Sequence, residues 1–352
     1  MKYKFKILPL FLLVLFCFAC QEKTNESLPK KIKVGTIRVP DDKTVAYELR
    51  FFNEFFEDKG IELEFIFFDS GTAANVALAS GDLDFAEMGY TNAVVALNRN
   101  INVELIWLHE VLGENEALVV KQNSNIKKLS DLKGKKVATP FSSTSHYSLM
   151  KVLELSGVKS TELHLLDMNT EDILAAWNRG DIDACYTWEP TLSEIKKTGD
   201  VLVDSAEMAE KGVTAVNIEL VNKAFAKKYP QLVCDYLKAL NKAVNTFKQK
   251  PDTAINAAAK YLAIDVSTVK KQMSGSIWLT AFEQMDAKYL GTENEPGAFR
   301  KTFLETAKFL VNEKKIDKVP NLEEIDNFIN TEYLEMLKNT NGALENHNGK
   351  IE

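Results

Sequence analysis

The residues best suited to chemistry in this chain are four consecutive hydroxyl-bearing side chains, Ser142-Ser143-Thr144-Ser145, set between an apolar segment ending at Pro140 and the helical pattern that runs from His146. A helix entrance presents N–H groups without internal acceptors and the positive end of the helix dipole, so it favours an anion. Ser and Thr add donors there without adding a full charge. One hydroxyl is enough for an N-cap, and four in a row point beyond capping to anion binding. Ser70-Gly71-Thr72 and Thr91-Asn92 repeat the arrangement at two further junctions of the same kind. Other chemistries lack their patterns. His109, His146 and His164 show no metal-ligand spacing, and no phosphate loop or dinucleotide glycine signature occurs, so no metal or cofactor is expected. His146 reads as a ligand donor or cap neighbour, and Cys185 and Cys234, each flanked by apolar residues, read as buried thiols.

The elements that must hold these loops alternate strand and helix, twice. Lys31–Ile37, Leu63–Phe68 and Leu83–Met88 have the apolar content and length of buried strands. A helical pattern over 45–56 and a short helix over 73–80, closed by Gly81, connect them. A second set follows: a strand through Val137 to Pro140, a helix to Ser156, a helix opened by Asn169 and closed at Gly180, and a strand over Ile182–Trp188. Gly81 and Gly180 lie 99 residues apart, and Val34 and Val137 lie 103 apart, which predicts two α/β lobes of like design with a cleft between them. Parallel α/β sheets gather ligands beyond the carboxyl ends of their strands, where the hydroxyl loops fall. From Asn222 the chain turns to long amphipathic helices that return to pack on the first lobe, punctuated by Pro230 and Pro251 at helix starts.

Length and charge set the outer limits. The chain has 352 residues, enough for two domains, with 43 Lys+Arg against 50 Asp+Glu and 45% hydrophobic residues. That composition excludes a disordered chain, and the acidic balance argues against nucleic acid as a partner. Residues 1–19 read as an export signal: Lys2, Lys4 and Lys6 precede an apolar run too short to span a bilayer. That run ends at Ala19-Cys20, which resembles a bacterial lipobox although Cys17 stands where Leu is usual, so Cys20 is the expected lipidation site and membrane anchor. Three lysines leave with the signal, taking the net charge from −7 to −10.

Several segments together resemble the taurine-binding proteins of ABC importers. They are Asp69-Ser70-Gly71, the stretch Glu110 to Val120, Asp131 to Pro140 running into Ser143 to Leu149, Ala175-Ala176-Trp177, Arg179 to Asp183, Tyr186 to Pro190, and Ile277-Trp278 with Glu283-Gln284 and Leu290-Gly291. The segment Asp131 to Val137 is common to binding proteins for nitrate, sulfonates and thiamine precursors, whereas Ser143–Tyr147 is more specific to taurine binding.

The resemblance implies a type II periplasmic-binding-protein fold that closes over its ligand and delivers it to a permease driven by an ATPase. It divides the chain into a signal (1–19), a tether (20–30), a first lobe (31–119), a second (120–218), a return with C-terminal helices (219–338) and a disordered tail (339–352). It places the sulfonate on Ser70, Gly71, Thr91, Asn92 and the helix entrance Ser143, Thr144, Ser145 and His146. It offers Glu116, Glu189 and Trp188 for the ammonium, with ordinary surface or core roles as the alternatives. Hinges are expected near Val119–Lys121 and Ile218–Val221. One departure bears on specificity: the family commonly has an Asp where this chain has Asn217, and Glu219, two residues on along a strand, compensates only if it too faces the cleft. Tyr90 stands where a small Ser is usual, which shortens the expected pocket. Taurine is the leading ligand. Other small sulfonates, nitrate or a thiamine precursor follow it, and an enzyme built on the same fold is the alternative from another class. A monomer is expected.

Overall fold

The computed structural model describes residues 27–337, so the export signal, Cys20 and the C-terminal tail lie outside the described residues. The chain starts with β1 (Lys31–Thr36), then α1 (Asp42–Glu48), α2 (Asn53–Phe56) and β2 (Glu62–Phe67). Next come α3 (Gly71–Ser80), β3 (Phe85–Gly89), α4 (Tyr90–Asn98) and β4 (Val103–Val111). A second set runs through β5 (Glu116–Lys121), β6 (Lys136–Thr139), α5 (Thr144–Leu155), β7 (His164–Asp167), α6 (Thr170–Arg179), β8 (Ala184–Trp188), α7 (Thr191–Lys196), β9 (Gly199–Asp204) and α8 (Ser205–Glu210). Strand β10 (Val216–Asn222) follows. The helices after it are α9 (Lys223–Lys228), α10 (Pro230–Gln249), α11 (Pro251–Leu262), α12 (Val266–Ser274), α13 (Ala281–Gln284), α14 (Phe299–Asn312) and α15 (Leu322–Asp326).

Two five-stranded sheets result, ordered β2-β1-β3-β10-β4 and β7-β6-β8-β5-β9. In each, three parallel strands are followed by one that runs against them and a last that again runs with them, in the same sequence of pairings. The predicted likeness of the lobes is therefore a likeness of topology. Its repeated Gly-Asp-x-Asp has a local cause. Gly81 and Gly180 close α3 and α6 in the left-handed conformation, with φ of 79° and 83°. The second Asp of each motif, Asp84 and Asp183, accepts from the backbone N–H of Lys33 and of Lys136, both at 2.8 Å, which pins the incoming strand beside β1 or β6.

The chain changes sheet at 112–115 and again at 205–215, which corrects the positions expected for the crossings. Val119 and Val120 cannot be hinge residues because they sit inside β5, paired with both β8 and β9; Ile218–Val221 likewise pair with both β3 and β4 within β10. The first crossing is tight, since a Cβ added to Gly113 would stand 2.3 Å from the carbonyl oxygen of Gly275. The helix expected over 45–56 is two helices. Arg50 adopts φ 59°, and the N–H of Phe51 returns to the carbonyl of Ala46 at 2.8 Å, which ends α1.

The C-terminal helices return to the first lobe: α10 and α11 cover α1, and α14 covers α4. Pro230 and Pro251 sit in the first turns of α10 and α11, where a missing N–H costs nothing. Helix α14 also reaches the second lobe, with Phe309 against His146 and Tyr147 of α5.

Candidate functional site

A cleft of about 260 Å³ lies between the sheets, at the carboxyl ends of their parallel strands. Each strand there feeds a helix, so helix entrances converge on it. Ser70, Gly71 and Thr72 come from α3, Gly89 and Asn92 from α4, Ser143 and Thr144 from α5, Thr170 from α6 and Thr191 from α7. An entrance turn leaves its first N–H groups without internal acceptors. The donors therefore come from both lobes.

The side chains are arranged less simply than the run of hydroxyls suggests. Ser143 is the N-cap of α5: its Oγ accepts from the N–H of His146 at 3.2 Å and donates to the carbonyl of Pro140 at 2.6 Å. Thr144 donates its hydroxyl to Glu116. Both protons are spent inside the second lobe, so the donors that α5 offers an anion are backbone N–H groups, not these two hydroxyls. Ser70 caps α3 by accepting from the N–H of Ala73 at 3.3 Å, and Asn92 receives the hydroxyl of Thr72 on its Oδ1 at 3.3 Å, leaving its Nδ2 beside Gly71. A Cβ on Gly71 would meet that amide at 2.6 Å. The lobes touch where a Cβ on Gly89 would stand 3.0 Å from Thr144 Cγ2.

Three of the expected residues do not reach the cleft. Thr91 and Ser145 are fully buried behind it. His146 lies under Phe141, stacked at 4.3 Å, and its Nδ1 accepts from the N–H of Ser142 at 3.4 Å. Burial, aided by Lys315, pulls its pKa down to about 4, so it is a neutral packing residue. Tyr90 also turns away: its hydroxyl meets that of Thr306 at 2.8 Å in α14, and it does not line the cleft. It takes nothing from the pocket.

Three buried carboxyls line the cleft: Glu110, Glu116 and Glu189. Arg38, exposed and stacked over Phe67, is the cation among the lining residues. Burial raises the pKa of Glu116, and hydroxyls pull it back: Thr144, Ser205 at 2.9 Å and Ser148 at 3.4 Å. Burial also raises Glu189, whose Oε2 accepts from the N–H of Ser193 at 2.8 Å and from Gln272 Nε2 at 3.0 Å. Glu110 lies opposite Asn217 in the ladder between β4 and β10, and accepts from its Nδ2 at 3.0 Å. Burial pushes its pKa up to about 7. Trp188, half-buried at the end of β8, faces the same space with Phe68, Phe141 and Leu112.

Glu219 does not compensate for Asn217. It lies two residues deeper along β10 than Asn217, opposite Glu87 of β3, beneath the cleft in a buried charge cluster. There Glu219 Oε2 meets Lys43 Nζ at 2.8 Å, His109 Nε2 at 2.9 Å and the Tyr236 hydroxyl at 3.0 Å. Asp42 takes His109 Nδ1 at 2.5 Å and Trp107 Nε1 at 2.7 Å. Burial opposes a charged His109, but Asp42 first, then Glu219 and Glu87, hold its pKa well above the usual range. Asp41, Asp42 and His109 are close enough to hold a metal ion, yet both ring nitrogens of the imidazolium carry protons and offer no lone pair. Cys185 and Cys234 are buried free thiols.

Glu110, Asn115 and the entrances of α6 and α7 are site residues that sequence reasoning missed. The available signal for Glu110 was a carboxylate beside His109 at the end of the apolar run Leu105–Leu108.

Two lobes of the same topology, a cleft of converging helix entrances and buried carboxyls facing them define a solute-binding protein for a small polar ligand. The comparisons agree: the NMT1/THI5-like family model matches residues 53–254, and the chain belongs to that family. It is 33% identical to the taurine-binding periplasmic protein of Escherichia coli (strain K12) over 275 residues, covering 76% of this chain and 83% of that one. It is 26% identical to a putative aliphatic sulfonates-binding protein of Bacillus subtilis (strain 168), covering 84% and 85%. Among solved structures, the alkanesulfonate-binding protein SsuA of Xanthomonas axonopodis pv. citri bound to MOPS superposes with a TM-score of 0.69 at 18% identity, over 84% of this chain and 98% of that one. The desulfurization enzyme DSZB superposes at 0.64 with 17% identity, over 89% and 100%. The fold is the periplasmic-binding-protein fold.

Proposed function

We propose that this protein is the extracytoplasmic solute-binding component of an ABC importer and that it binds taurine between its lobes. The observation that carries the reading is the pairing of opposite recognition chemistries in one cleft. Helix entrances from both lobes supply neutral donors for a sulfonate, and buried carboxyls stand ready for an ammonium. The taurine-binding relative from E. coli supports the same ligand. An alkanesulfonate without the amine would use the helix entrances and leave the carboxyls uncompensated.

Donors from both lobes make ligand binding favour closure, by the difference in affinity between the closed and open states. The segments 112–115 and 205–215 are the chain crossings about which the lobes move. The closed protein, a monomer held by a lipid on Cys20, presents taurine to its permease and ATPase. The fold also hosts enzymes, and the taurine-binding and aliphatic sulfonates-binding relatives favour binding over turnover. Two measurements test the proposal together. Taurine should raise the melting temperature and lower the radius of gyration in solution scattering, and no change in either would refute it.

A further inference from the structure

The geometry points to Glu110, held by Asn217 directly across the β4–β10 ladder, as the carboxylate that recognises the cationic nitrogen of the ligand and so selects an aminosulfonate over a plain alkanesulfonate. This rests on the sulfonate reading above and assigns its specificity.

A buried carboxylate is tolerated when charges or several hydrogen bonds pay for its lost hydration. The carboxyls around the cleft differ in how far that has been met. Glu116 is clothed by three hydroxyls, from Thr144, Ser148 and Ser205. Glu189 has a backbone N–H and an amide of α12. Asp42, beneath the cleft, has His109 and Trp107. Glu110 has neutral partners only, Asn217 and the hydroxyl of Ser276, while Asp41 and Asp42 at the start of α1 add like charge from below. It lines the cleft, is 2% exposed, and is the buried carboxyl there with the most charge left to satisfy.

Asn217 is the positioning partner. Its Nδ2 is committed to Glu110, which fixes the carboxylate and leaves the amide oxygen as a second, neutral acceptor for an N–H of the ligand. The pair thus places the negative charge on β4 and the neutral acceptor on β10, across one register step. A carboxylate at 110 explains how the cleft recognises an ammonium with an amide at 217.

The test is calorimetric titration of wild type, Glu110→Gln and the exchange variant Glu110→Gln/Asn217→Asp with taurine and with ethanesulfonate. Wild type should prefer taurine. Glu110→Gln should cut the taurine-to-ethanesulfonate affinity ratio by about tenfold or more, the scale of a lost charge-assisted hydrogen bond. Exchange of the two groups should restore part of it. An unchanged ratio in Glu110→Gln overturns the inference while leaving sulfonate binding intact, whereas failure of wild type to bind either ligand overturns the functional reading instead. A readout on the wild-type protein guards against a variant that fails to fold: in side-chain carboxyl NMR at neutral pH, taurine should drive one glutamate resonance toward its ionised position and ethanesulfonate should drive the same resonance toward its protonated one. Shifts in the same direction, or none, overturn the inference.

Discussion

A carboxylate kept for its ligand should weaken the fold that carries it, and Glu110→Gln measures by how much. Free glutamate titrates at 4.5, and burial raises Glu110 to about 7. The folded state therefore holds its proton more tightly than the unfolded chain. Below both values the group is protonated in either state and contributes no difference. As pH rises from 4.5 to about 7, the unfolded chain gains the advantage of ionising first, and folding loses stability at about 1.4 kcal/mol per pH unit. The loss reaches about 3 kcal/mol and stays constant at higher pH. Glutamine keeps the shape and an oxygen acceptor for Asn217 Nδ2 without the charge. Ligand-free Glu110→Gln should thus be more stable than wild type by about 3 kcal/mol near pH 8, and by roughly nothing near pH 4. Urea unfolding at the two pH values measures the difference. A variant less stable than wild type at pH 8, or a difference that ignores pH, would refute the reasoning. Stabilisation by removing a cleft carboxylate is the signature of a group retained for binding.

The same titration governs the ligand. Taurine affinity should fall by up to about a hundredfold between pH 8 and pH 5 as Glu110 takes its proton, while ethanesulfonate affinity rises; parallel profiles would contradict this. Thr144→Val should cost about 1–3 kcal/mol of stability by baring Glu116, yet change ethanesulfonate affinity little, since the Thr144 proton already points at Glu116; urea unfolding and titration read the two separately. His109→Gln should cost about 3–5 kcal/mol, because Asp42 is then left buried without its cation while Glu219 keeps Lys43, and denaturant midpoints report it.

Much of the architecture was written locally. The N-caps Ser70, Ser143 and Asn169 and the left-handed glycines 81 and 180 bound helices from within a few residues, and the repeated Asp84 and Asp183 each tie one strand to its neighbour. Such signals survive in a linear string. What stayed hidden depends on strands far apart in sequence. Glu110 meets Asn217 across 107 residues, and Lys43 of α1 and His109 of β4 hold Glu219 beneath the cleft, two residues along β10 from Asn217. The hydroxyl loop at α5 was legible as an anion site, but the destination of each proton was not. Ser143 and Thr144 look like ligand donors until Pro140 and Glu116 are seen to accept from them. His146 and Tyr90 were misplaced for a related reason: α14, which draws Tyr90 to Thr306 and packs Phe309 on His146, arrives from the far end of the chain. Its approach leaves no mark near either residue.

One cleft reads both ends of a small zwitterion. Calorimetric titration of the ligand-free wild-type protein with taurine, ethanesulfonate and β-alanine examines both ends at once. Taurine should bind tightly, ethanesulfonate measurably but more weakly, and β-alanine, which keeps the ammonium and loses the sulfonate, not at all. Equal affinity for taurine and ethanesulfonate, or binding of β-alanine as tight as taurine, would contradict it.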